Sequence, residues 1–130
     1  MLVVNATKRR NKYNNKVIVV DGEKFDSLGE ADRWVELNWL QSARKISKLR
    51  RQVKFNLISN GVHVGGYIAD FVYWENGAIT VEDFKGLQKG TAWELFKLKF
   101  NILQSMHAKG IENGEIKFLI SEKRYYGKKL

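Results

Sequence analysis

The 130-residue chain contains no cysteine, no proline and only two histidines, His63 and His107. Without cysteine there is no disulfide framework, no thiol nucleophile and no thiolate zinc site. Two histidines are too few for a histidine-rich metal centre. No apolar run approaches the ~20 residues that a membrane span requires. The start, Met1-Leu2-Val3-Val4 with Lys8-Arg9-Arg10 close behind, is too short an apolar run for a signal peptide. The expectation is a cytoplasmic protein away from any membrane. Acidic residues are also absent from long stretches. Residues 1–16 hold Lys8, Arg9, Arg10, Lys12 and Lys16 and no acid. Between Glu36 and Asp70 stand Arg44, Lys45, Lys48, Arg50, Arg51 and Lys54, again with no acid.

What is present suits one domain over residues 1–130: 44% hydrophobic and 12% aromatic residues in a chain long enough to bury a core. The net charge is +9, and the two ends, with Lys123, Arg124, Lys128 and Lys129 set against Glu122, carry +8 of it. We expect a flexible basic arm over 1–16, a core over 17–121 and a basic tail over 122–130. Ten of the fourteen acids fall in two groups, Asp21 to Glu36 and Asp70 to Asp83. Cationic segments around acidic patches suit a protein that holds a polyanion near a metal site, and DNA is the expected partner. The plain alternative is a basic domain with solvated lysines.

The most informative segment runs from Tyr67 to Lys85. Two runs rich in β-branched and aromatic residues flank Asn76-Gly77, the strongest short-range signal for a two-residue hairpin. With Asn76 and Gly77 as the loop, Glu75 faces Ala78, Val72 faces Val81, Phe71 faces Glu82 and Asp70 faces Asp83. Opposed aspartates have Cβ atoms roughly 5 Å apart and repel. Strict alternation places Ile68 and Val72 on the face of Asp70, and Ala69 and Phe71 on the other. Lys85, two residues past Asp83, projects from the Asp83 face. Two acids and one lysine leave net negative charge for a cation, and carboxylate oxygens favour Mg²⁺, with Mn²⁺ as a substitute, over Zn²⁺. The competing reading is an internal ion pair with Lys85. Glu82 points to the opposite face and receives no catalytic role.

Turn and cap signals give the remaining organisation. Asp21-Gly22 joins Val17–Val20 to Glu23–Phe25 in an N-terminal hairpin. Ser27-Leu28-Gly29-Glu30 matches a capping box that opens a helix running to about Arg44. On it, Leu28, Ala31, Val35 and Trp39 form one apolar row, and Trp34 and Leu37 a second. Val53–Ser59 reads as a strand closed by Asn60-Gly61. A second helix spans Thr91 to about His107, with Ala92, Phe96, Leu103 and Met106 inward. Gly110–Gly114 reads as a turn, and Glu115–Ser121 as the last strand. The order implies an α/β (α+β) fold, a mixed central sheet flanked by helices. Glu30 has two open readings: the acceptor of the capping box, or a further ligand reaching the sheet.

These residues resemble the PD-(D/E)XK, or restriction-endonuclease-like, nuclease superfamily. The resemblance rests on Glu30 in Ser-Leu-Gly-Glu, Asp70 in Ile-Ala-Asp, Asp83 and Lys85 in Glu-Asp-Phe-Lys-Gly, and the core order α-β-β-β-α-β. Ala69 stands where a proline often precedes the first aspartate. The chain is similar, more closely, to a small phage- and prophage-encoded branch, through Asn11–Tyr13, Val20–Ala31, Tyr67–Tyr73 and Val81–Gly86. The resemblance covers about residues 11–105. It implies that Asp70, Asp83, Glu30 and the Phe84 carbonyl hold Mg²⁺, and that Lys85 orients the attacking water and steadies developing charge. It implies a DNA endonuclease acting in phage recombination, repair or packaging, in the cytoplasm of a bacterial host. A Holliday-junction or branched-DNA resolvase, a transposon-end nuclease and a catalytically silent DNA-binding module are the alternatives. Candidate DNA contacts are Lys8, Arg9, Arg10, Lys12, Arg50, Arg51, Lys89 and Lys97, each with solvated lysine or arginine as the bland reading. Paired cuts through both strands would call for a homodimer.

Overall fold

The computed structural model describes residues 6–10, 16–86 and 88–122. Its elements are β1 (Ala6–Arg10), β2 (Lys16–Val20), β3 (Glu23–Phe25), α1 (Leu28–Ser42), β4 (Ser47–Ser59), β5 (Val62–Glu75), β6 (Ala78–Phe84), α2 (Thr91–Met106), α3 (Ala108–Glu112) and β7 (Ile116–Ser121). They form an antiparallel three-stranded sheet, β1-β2-β3, and a four-stranded sheet in the order β4-β5-β6-β7. The larger sheet is mixed: β4, β5 and β6 are antiparallel, and β7 runs parallel to β6 after the α2–α3 crossover. The fold is therefore of the α+β class.

The hairpin between β5 and β6 adopts the register expected from Asn76-Gly77, with Glu75 opposite Ala78, Val72 opposite Val81 and Phe71 opposite Glu82. A type I′ turn needs positive φ at both loop residues, and Asn76 has φ 51° and Gly77 φ 79°. At the start of α1, the Ser27 hydroxyl accepts from the Glu30 backbone N–H at 3.1 Å.

Adjacent residues of β5 serve opposite sides of the larger sheet. Phe71 and Tyr73 pack with Leu37 of α1 and with Ile46. Val72 packs with Val81, Ile116 and the α2 residues Phe96, Phe100 and Leu103. A third cluster ties α1 to the small sheet through Ile18, Val20, Phe25 and Ala31. Each face of the larger sheet thus carries a helix.

Several sequence expectations differ from the structure. The arm expected over 1–16 contains strand β1, paired with the β-branched run of β2; residues 1–5 and 11–15 lie outside the described residues. Of the tail over 122–130, Glu122 is described and the rest is not. β4 begins at Ser47 rather than Val53. The turn expected over Gly110–Gly114 is largely the short helix α3, closed by the Ile111 N–H donating to His107 O at 2.9 Å. Gly110 is small because Ile116 packs against it. On α1, Leu28 and Trp39 are exposed while Leu37 is buried. On α2, Ala92 is exposed, Met106 lies at the surface, and Phe100 takes the inward position.

The alternation expected along β5 also fails at one point. Tyr67, Ala69 and Val72 share the α2-side cluster, whereas Phe71 lies on the α1 side. The side-chain pattern slips by one residue at Asp70. Beside it, Gln52 of β4 holds a left-handed φ of 55°, an uncommon conformation for a residue with a Cβ. Arg51 pairs with Phe71 and Val53 with Ala69 on either side of this point.

Candidate active site

The slip in β5 frees the Asp70 side chain to serve the end of β6. The last registered β5–β6 pair is Phe71 with Glu82. Beyond it, Asp70 Oδ2 accepts the Phe84 backbone N–H at 2.9 Å. Asp83 is 2% exposed and accepts the hydroxyl proton of Tyr67 at Oδ2. Burial, then the hydrogen bond and negative charge of Asp70, push the Asp83 carboxyl up to about 8, against the Tyr67 hydrogen bond and the Lys85 charge. Asp70 and Asp83 are therefore electrostatically joined neighbours. The Tyr67 phenol is itself pushed well above its usual range by burial and by Asp83.

Glu30 arrives from the first turn of α1. Gly29 makes this approach possible, since a Cβ at that position would overlap the Phe84 ring. The capping interaction uses the Glu30 backbone, and its buried carboxylate turns towards the sheet. Glu30 Oε2 accepts from Arg51 Nη2 at 3.3 Å and from Gln52 Nε2 at 3.5 Å. The same Gln52 nitrogen donates to Asp70 Oδ1 at 3.3 Å, so Gln52 bridges the two acids. Burial and the nearby Asp70 charge raise the Glu30 carboxyl to about 7, with Arg51 opposing.

Lys85 Nζ lies 4.1 Å from the centroid of the Phe96 ring, on the α2 side where Tyr67 meets Asp83. Among the described residues, Lys85 forms no ion pair within 4 Å with Asp70 or Asp83. Its charge nonetheless favours the ionised form of Asp83. Glu82 points away into a separate buried network, accepting from Arg33 at 2.6 and 2.9 Å, Tyr73 at 2.6 Å and Ser121 at 2.8 Å. These bonds lower the Glu82 carboxyl despite burial.

The candidate cationic contacts are dispersed. Arg50 and Lys89 are exposed. Arg51 is committed elsewhere: it pairs with Glu23 at 3.0 Å and Glu30 at 3.3 Å, and its guanidinium lies 4.0 Å from the Phe25 ring centroid. Lys97 pairs with Glu94 at 3.0 Å and lies near the Trp93 ring. Lys8, Arg9 and Arg10 belong to β1, and Lys12 lies outside the described residues.

Tyr67 and Gln52 were not singled out from the sequence. Tyr67 sits three residues before Asp70 in a run that reads as plain strand. Gln52 is hidden within a cationic block, and no turn signal marks its positive φ. Among the described residues, no group of three or more His, Cys, Asp or Glu side chains is gathered closely enough to hold a metal ion. The site offers an adjacent aspartate pair, with Glu30 joined to it through Gln52. No helix among the described residues is long and apolar enough to cross a membrane.

No curated protein and no solved structure matches the chain. A family model described as "Protein of unknown function (DUF1064)" matches residues 10–113 and so spans every element that builds this site, from α1 to α2. The chain belongs to the DUF1064 family.

Proposed function

We propose that this chain is a Mg²⁺-dependent DNA endonuclease of the PD-(D/E)XK type, acting in the cytoplasm of a bacterial host on phage DNA. The observation that carries the reading is the convergence of Asp70 and Asp83 at the end of β6, with Glu30 bridged to Asp70 and Lys85 projecting beside Asp83. The donors are all hard oxygens, which suits Mg²⁺ or Mn²⁺. Mg²⁺ keeps several waters and is commonly held by one or two carboxylates, so the aspartate pair is a sufficient protein contribution. Burial and the neighbouring Asp70 raise the Asp83 carboxyl, and a bound cation would offset both by favouring the ionised pair.

When bound, Mg²⁺ supplies a Lewis acid that acidifies water and offsets phosphate charge. Asp70 and Asp83 would hold it, with the Phe84 carbonyl and Glu30 as further oxygen donors. Asp70 is steadied by the Phe84 amide and Gln52, and Asp83 by Tyr67. Lys85 carries an ammonium to the site to orient the attacking water and face the charge that develops on the phosphate. The water oxygen forms a bond to phosphorus, the bond to the leaving oxygen breaks, and that oxygen takes up a proton.

A second reading, a DNA-binding module without chemistry, has in its favour the lack of a tight three-acid cluster among the described residues. The deciding experiment incubates the purified protein with Mg²⁺ or Mn²⁺ and linear, flapped and four-way-junction DNA. Cleavage that disappears in Asp83→Ala supports the nuclease. Intact DNA of every form removes it in favour of the binding module, and preferential cutting of the junction selects a resolvase.

A further inference from the structure

The β4–β5 hairpin continues well past the rest of its sheet. β6 is in register with Phe71–Glu75 of β5, and the stretch before Asp70 is in register with β4 alone. Val53–Ser59 and Val62–Ala69 thus form a two-stranded ribbon about 20 Å long at ~3.4 Å per residue. One face of the ribbon is occupied: Val53, Phe55, Leu57, Tyr67 and Ala69 pack against α2. The other face is open. Lys54 stands opposite Ile68, and Asn56 opposite Gly66. Lys54, Asn56 and Ile68 are exposed. This face runs directly into the Gln52–Asp70 hydrogen bond at the candidate active site.

We infer that the open face of this ribbon is a groove-reading surface for duplex DNA, placed so that a phosphate of the same duplex comes to Asp70, where the ribbon ends at the candidate active site. The inference rests on DNA being the partner. The charge supports it: residues 37–69 contain no acid, and Lys54 stands exposed on the open face. The shape supports it as well. A two-stranded ribbon fits the major groove of B-DNA. On this face Gly66, opposite Asn56, carries no side chain, so a backbone can approach closely there. The residue chemistry is that of base and phosphate contact. Lys54 serves a phosphate, Asn56 an adenine edge, and Ile68 a thymine methyl.

The test measures binding of the full-length protein to labelled duplexes in EDTA across a salt series, with selection from a randomised duplex pool. Lys54→Gln should weaken binding to all sequences and reduce the salt slope by about 0.9. Asn56→Ala should weaken a selected site about tenfold and erase the preference at one or two positions. Gly66→Val should weaken binding without lowering Tm, because valine suits a strand and its Cβ would make only ordinary van der Waals contacts, with the Lys54 Cε at 3.6 Å and the Phe55 carbonyl oxygen at 3.9 Å. Lys117→Gln, on strand β7 at the sheet edge opposite β4, is the control that retains binding. Binding by these variants equal to wild type, equal losses on single-stranded DNA, or no duplex binding by the wild type overturns the inference. Parallel cleavage with Mg²⁺ separates it from the nuclease reading. Binding through the ribbon without cutting removes the nuclease alone, and cutting indifferent to these substitutions removes the ribbon alone.

Discussion

Asp70 on β5 accepts the backbone N–H of Phe84 on β6 at 2.9 Å, so a carboxylate takes an amide just past the last registered pair of the two strands. The bond anchors Asp70 against Asp83 in spite of their like charge. Asp70→Asn keeps an oxygen acceptor for Phe84 and removes the charge. The metal-free protein should be as stable as wild type or more so at pH 8, while Mg²⁺-dependent cleavage is lost. Asp70→Ala removes the acceptor too and should be about 1 kcal/mol less stable than Asp70→Asn. Urea unfolding of both variants in EDTA, with cleavage measured alongside, checks the pair.

The raised Asp83 and Glu30 carboxyls set a pH dependence for the metal-free protein. Both titrate higher when folded, at about 8 and about 7, than their ordinary values of 3.8 and 4.5. Between the ordinary and the raised values the folded chain binds more protons than the unfolded chain, so stability falls as pH rises. Their contribution is full below about pH 4 and is lost by about pH 8 to 9. Thermal melting in EDTA should show this decline from pH 5.5 to 9, and Asp83→Asn should flatten most of it. Added Mg²⁺ favours the ionised acids, so its stabilising effect should grow over the same range. A decline of the same size in Asp83→Asn would exclude this origin.

The two ends of the site differ in how plainly the sequence announces them. Asn76-Gly77 fixes a register by turn chemistry, and that register is sufficient to set Phe71 against Glu82 and to direct Glu82 away from Asp83. The slip at Asp70 has no such marker. It depends on Gln52 adopting positive φ, which glutamine does not advertise, and it is the reason Ala69 and Val72 share one cluster. Glu30 is intermediate. Its backbone obeys the capping pattern, but only the fold shows that Gly29 admits the Phe84 ring and that the Glu30 carboxylate meets Gln52. Strand β1 lies in a segment whose basic, asparagine-rich composition suggests an arm, because pairing with β2 is a tertiary choice.

Lys85 offers a test of chemistry separate from binding. Lys85→Ala should lower cleavage at least 100-fold, the scale seen when one group that stabilises transition-state charge is removed. DNA affinity in EDTA should change little. Lys85→Arg keeps the charge but not its compact shape and should recover only part of the rate. Single-turnover cleavage with saturating protein separates rate from affinity, and a full rate in Lys85→Ala would remove the lysine from the mechanism.

The basic N-terminal segment is best tested by charge rather than by deletion, since removing residues 1–16 would remove β1 from the small sheet. Replacing Lys8, Arg9 and Arg10 by glutamine should reduce the slope of log affinity against log salt by about 0.9 for each phosphate that is no longer neutralised. Unchanged affinity and slope would show that these cations are only solvated.

Glu82 and Asp83 are consecutive, both buried, and directed to opposite faces, so they should fail in opposite ways. Glu82 is fully buried and held by Arg33, Tyr73 and Ser121. Arg33→Ala leaves that carboxylate without its cation and should cost about 3–5 kcal/mol, the range for breaking one side of a buried pair. Glu82→Gln keeps the shape and an acceptor for Tyr73, so about 2 kcal/mol is expected. The bonds of Glu82 and Arg33 run to Tyr73, Ser121 and Glu36, and Ser121 meets Asp83 at the Asp83 backbone carbonyl, at 3.4 Å, rather than at its carboxylate. Cleavage per folded molecule, corrected by the folded fraction from urea titration, should therefore survive Glu82→Gln. In Asp83→Asn the outcome should reverse, with a fold at least as stable in EDTA at pH 8 and no cleavage. Loss of cleavage in folded Glu82→Gln would place Glu82 within the chemistry and break the division of the two faces.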